Sequence, residues 1–119
     1  VIEINTMGAQ GDVLFRRIDT LPDTVREHTK EGPIVVAHSE TGHHHAIERG
    51  PGIRMFEDPA DPFVCYLQMD IGVSAEVVHH RAWDTHETMR LLGSDTRPTV
   101  YKIHRQREWT PEGLRRVMD

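Results

Sequence analysis

Turn-forming residues interrupt this chain so often that no long helix fits between them. Gln10-Gly11-Asp12, the Pro22 region from Asp19 to Asp23, Gly32-Pro33, Gly50-Pro51-Gly52, Asp58-Pro59-Ala60-Asp61-Pro62, Asp70-Ile71-Gly72 and Gly93-Ser94-Asp95 all read as turns or breaks. Proline lacks an amide donor and fixes φ, while glycine and aspartate supply the conformations that tight turns need. The runs left between them are short and rich in β-branched and aromatic residues: 13–18, 34–38, 53–57, 63–69, 73–80, 85–92 and 99–109. Runs of that length and composition predict strands. The polar run 24–30 is expected to form one helical turn, stopped by Gly32-Pro33. Near the end, Thr110-Pro111-Glu112 has the form of an N-cap, a first-turn proline and an acidic first turn, so 114–118 is expected to be a short helix.

Seven or eight short strands imply an all-β fold, a small single-domain β-barrel or sandwich spanning 1–119. The hydrophobic fraction of 37% and mean hydropathy of −0.53 allow a modest core. A net charge of −5 argues against general nucleic-acid binding, which needs a basic surface for phosphate contacts. No apolar run approaches the ~20 residues of a membrane-spanning helix. With no visible signal peptide, the expected location is cytoplasmic, or virion-associated if the protein is phage-encoded. The single cysteine, Cys65, excludes an intramolecular disulfide and a thiolate zinc cluster. It sits in the apolar run Phe63-Val64-Cys65-Tyr66-Leu67, where a buried, inert thiol is expected.

Chemistry concentrates in Ser39-Glu40-Thr41-Gly42-His43-His44-His45-Ala46-Ile47-Glu48-Arg49-Gly50. It follows the 34–38 strand across Glu40-Thr41-Gly42, so the two are expected to form a hairpin. On an extended segment His43 and His45 share one face and His44 takes the other. Two imidazoles at i and i+2 form one arm of a metal site, with Glu48 as a third ligand. A second arm must come from another segment. His86, opening the run Thr85-His86-Glu87, is preferred over His38, His79 and His80. His79 and His80 are adjacent, so only one of them can join an interior site. The expected ligands are therefore His43, His45 and His86, with Glu48. Nitrogen and oxygen donors without thiolate suit Fe(II), Mn(II), Ni(II) or Zn(II). The alternative is a set of solvated surface histidines. His104, on one face with Lys102 and Glu108, is expected to be exposed.

Arg105 and Arg107, two apart on the long 99–109 run, can clamp a carboxylate or phosphate of a small polar or anionic ligand. A cross-strand ion-pair ladder with the surplus acids is the plainer reading. Ser39 and Ser74 lack a nucleophile context, and nothing forms a phosphate loop. Any catalysis falls to the metal.

Gly42, His43, His45, Glu48 and Gly50 resemble the first motif of the cupins, small β-barrels in which a glycine precedes His-x-His and a glutamate and glycine follow. The spacing here is compressed, and no Pro-x-Gly stands ahead of His86. The resemblance implies a cupin-like, metal-binding barrel and leaves the reaction open. A broader resemblance links 10–14, 41–46, 85–87 and 101–112 to small uncharacterised proteins of bacterial, phage and plasmid genomes. It supports pairing His43 and His45 with His86. The second class of function is a non-enzymatic β-domain, a phage accessory or capsid-surface protein acting through homo-oligomeric or viral assembly. Trp109 and the basic C-terminal segment would then dock on a partner.

Overall fold

Burial alternates along several runs, and this alternation turns one face of those strands to the core. Within β3 (Val13–Ile18), Val13 and Phe15 are fully buried while Arg16 is exposed. In β9 (Ala75–His80), Ala75 and Val77 are buried and Glu76 is exposed. In β10 (His86–Leu91), Met89 and Leu91 face inward. Such alternation marks strands with one face on a core. A computed structural model describes residues 2–10, 13–29, 34–38, 44–48, 50–80, 86–105, 107–110 and 113–116. Residues 34–38, 44, 79, 80, 86, 87, 105, 107–110 and 113–116 are described at the level of backbone and register.

Two sheets form. The first has the order β1 (Ile2–Ile4), β10, β9, β6 (His44–Ile47), β5 (Ile34–His38). The second runs β2 (Met7–Gln10), β3, β11 (Thr99–Arg105), β8 (Val64–Met69), β7 (Ile53–Glu57), β4 (Arg26–His28). Strand β1 pairs with β10 in parallel, and the other pairings are antiparallel. Fully buried Phe15, Ile47, Leu67, Met69, Leu91 and Tyr101 fill the space between the sheets. The chain passes from one sheet to the other at Asn5-Thr6, between β1 and β2. That corner is tied by the Arg17 amide to the Thr6 carbonyl at 2.8 Å and by Arg17 Nη1 to Asn5 Oδ1 at 2.7 Å.

The all-β expectation holds, and strand pairing among the described residues makes it a sandwich rather than a closed barrel. The predicted hairpin is present, as β5 against β6. Gly52 and Gly72, at φ +79° and +78°, occupy two of the expected turns. Asp58 and Asp61 shape the β7–β8 loop by accepting the Ala60 and Phe63 amides, each at 2.9 Å.

Three expectations need correction. The 24–30 helical turn is instead β4, which covers the open edge of β7 and is tied by His28 Nδ1 to Glu57 Oε1 at 2.7 Å. An isolated helical turn carries the full nucleation cost for few hydrogen bonds, so an available edge wins. The terminal helix fails for the same reason, with Gly113 adding to its cost. Its residues Leu114 to Arg116 lie in β13 (Gly113–Arg116), paired with β12 (Arg107–Thr110). Finally, the 99–109 run is not one strand. Its neighbours β3 and β8 begin at Val13 and Val64, so the ladder is exhausted at Arg105. Residues Arg107 to Thr110 pair instead with β13 in a separate two-stranded sheet.

Candidate metal centre

The histidine segment folds as β6 because Ala46 and Ile47 continue an alternation in which His45 and Ile47 are fully buried. His45 therefore belongs to the inner face. A buried imidazole needs a hydrogen-bond partner, and Gln10 of β2, in the opposite sheet, supplies it. His45 Nδ1 lies 2.9 Å from Gln10 Oε1, and Gln10 Nε2 donates to the Val77 carbonyl at 3.0 Å. This chain of bonds has one consistent proton assignment. The Val77 carbonyl only accepts, so the Gln10 amide nitrogen must face it and the amide oxygen must face His45. His45 Nδ1 is then the donor, and in the uncharged ring the lone pair resides on Nε2. A histidine whose Nδ1–H is held by an oxygen acceptor is oriented as metal-bound histidines are.

Backbone register extends the site across the sheet. His45 stands opposite His79 in β9, and His79 stands opposite His86 in β10. Residues directly opposed on neighbouring strands share a sheet face, so the three histidines occupy one row on the inner face. A bulge in β10 between His86 and Met89 permits this. It inserts one residue and restores His86 to the face that Met89 occupies.

The expected ligands are thus partly gathered. His45 and His86 share a row, with His79 between them. His43 lies outside the described residues. Glu48 is exposed beyond the other end of β6, lining an open cleft of about 400 Å³ with Ser74, Glu76 and Arg90. Arg90 bridges Glu76 at 2.8 Å and Glu3 at 3.3 Å in that region. The hydrogen bond to Glu76, then its charge, holds the guanidinium still more firmly protonated. Among the described residues no group of three His, Cys, Asp or Glu side chains converges on a point. The inner row is defined by register.

Arg105 ends β11 opposite Val13, which also stands opposite Gln10. It thus occupies the same cross-strand row as Gln10, on the sheet facing the histidines. Arg107 opens β12, opposite Arg116, so the two arginines lie in different sheets. His104 is half-buried with Nδ1 shielded from solvent, rather than exposed as expected. Cys65 is buried, as its apolar run implied. Sequence reasoning missed Gln10 and undervalued His79. The second was detectable, since His79 continues the parity of Ala75 and Val77. Nothing in the sequence marked Gln10.

Fold and register together define a small two-sheet β-sandwich with three histidine positions in register across one sheet. Residues 9–106 match the family described as a domain of unknown function, DUF8820, and the chain belongs to that family. The matched segment contains all three histidines of the inner row and Gln10. No curated protein and no solved structure matches the chain. Among the described residues no helix is long and apolar enough to cross a membrane.

Proposed function

We propose that this protein binds a divalent metal ion through His45, His79 and His86. The reading rests on their continuous cross-strand register, one member of which is buried with its proton assigned to Nδ1. Three imidazole donors leave coordination positions for water or a ligand, and suit Zn(II), Ni(II), Fe(II) or Mn(II). Gln10 orients His45. Arg105, in the row of Gln10, supplies positive charge for a small anionic molecule, and any chemistry on that molecule is metal-assisted. The set keeps His45 and His86 from the sequence expectation and adds His79.

Among the described residues apolar side chains pack the space between the sheets, which supports a second reading, a non-enzymatic assembly domain of the phage type. Metal content separates the two. Untagged protein is incubated with each metal, dialysed and measured by inductively coupled plasma mass spectrometry, beside a His79→Ala/His86→Ala variant checked by circular dichroism. The metal reading expects one bound equivalent that the variant loses. Equal metal content in parent and folded variant would sink it.

A further inference from the structure

Six of the nine histidines fall into two register rows, and the second row is unaccounted for. His38 in β5 stands opposite His44 in β6, and His44 stands opposite His80 in β9. His44 directly precedes His45, and His80 directly follows His79. Successive strand residues alternate faces, so this row occupies the opposite, outer face of the first sheet. The next register pair on that face is Ala46 with Val78, both half-buried, and further along β9 lies exposed Glu76. The outer face is therefore the solvent side, while the inner row belongs to the core side.

We infer that His38, His44 and His80 form a second divalent-cation site on the outer face. Adjacent strands lie about 4.8 Å apart, so β5 and β9 stand roughly 10 Å apart with β6 between them. Metal–imidazole bonds are about 2.0–2.1 Å long, and the register sets the three histidine positions side by side on adjacent strands of one face. Hydrogen-bonded strands hold the three positions in fixed register. The donor set selects the ion: imidazole nitrogen favours Zn(II), Ni(II) and Cu(II), whereas Mg(II) and Ca(II) require oxygen. Because Glu76 on the same face of β9 is exposed, an ion held there is expected to exchange quickly and to be stripped readily by chelators.

The inner and outer sites share no ligand, so one titration tests both without confusing them. Untagged protein is dialysed against buffered Zn(II), and bound metal is counted for the parent, an outer His44→Ala/His80→Ala variant and an inner His79→Ala/His86→Ala variant. Circular dichroism verifies each fold. The expected result is two equivalents in the parent and one in each variant, with the outer equivalent removed first by a competing chelator. If the inner site fails, the outer proposal still expects one equivalent in the parent, absent from the outer variant and kept by the inner one. An outer variant that binds as much zinc as the parent overturns the proposal. Should the double variant not fold, single His38→Ala on the edge strand replaces it. At least a tenfold weaker outer site is then expected, and unchanged binding overturns the inference.

Discussion

Gln10 links the two sheets through polar atoms, and its removal has two separable consequences. Gln10→Ala leaves His45 Nδ1–H and the Val77 carbonyl without this partner inside the core. Unsatisfied buried groups cost about 1–3 kcal/mol, so the urea midpoint should fall accordingly. If His45 is a ligand, loss of its orienting acceptor should also weaken metal binding by about 10–100-fold, measured by competition dialysis. Stability loss with unchanged affinity would make Gln10 purely structural. Gly93 offers a cleaner steric case. A Cβ there would overlap the Val73 carbonyl oxygen, which is backbone and cannot swing away. The Gly93 amide also donates to Ser74 Oγ at 3.1 Å. Gly93→Ala should destabilise by roughly 1–3 kcal/mol, whereas Gly50→Ala, with nothing within 4 Å, should change little in the same thermal melt.

At the scale of elements, the short strands persist by leaning on neighbours. β1 is three residues long and sits on the edge of its sheet. It is held by the Leu92 amide to the Ile4 carbonyl at 2.9 Å and by Tyr101 Oη, which lies 3.0 Å from the Leu92 carbonyl and 3.3 Å from that of Ile4. Tyr101 comes from the opposite sheet, so its hydroxyl fastens the β1–β10 end of the sandwich. Tyr101→Phe removes that donor while keeping the ring, and should cost about 0.5–1.5 kcal/mol. Hydrogen exchange at the Leu92 amide should quicken more than at Ile103, in the centre of β11. Equal changes at both would mean that the hydroxyl stabilises the whole fold rather than this corner. The same dependence on neighbours explains the failed helix expectations. Local signals in 24–30 and 114–118 were real, but a turn or two of helix could not compete with β7 and β12 as pairing partners.

Across the whole molecule, pH dependence follows from burial. Tyr101 has its pKa raised chiefly by burial, with Arg17 opposing, and Tyr66 is raised by burial and then by the charges of Asp58 and Asp61. The folded state therefore holds these protons more tightly than the unfolded chain, whose tyrosines titrate near pH ~10. That stabilisation is intact below the unfolded value and is lost as pH rises through the folded values. Urea midpoints should decline above about pH 10, and Tyr101→Phe should shallow the decline. An equally steep decline in the variant would assign the effect elsewhere. The sequence by itself determined the fold class, because turn chemistry and strand length are local properties. It also determined the core parity of most strands and the hairpin carrying the histidines. It brought His45 forward through its spacing from His43 and His86 through its place at the start of a strand-like run. Tertiary structure decided the rest, for a physical reason: facing, pairing and bulging depend on partners distant in the chain. Register placed His79 between His45 and His86, one bulge set His86 on their shared face, and the second sheet brought Gln10 to His45. Edge competition turned two expected helices into strands, and exhausted ladders ended β11 at Arg105. No local pattern encodes which strand lies alongside another, and that adjacency turns scattered histidines into rows.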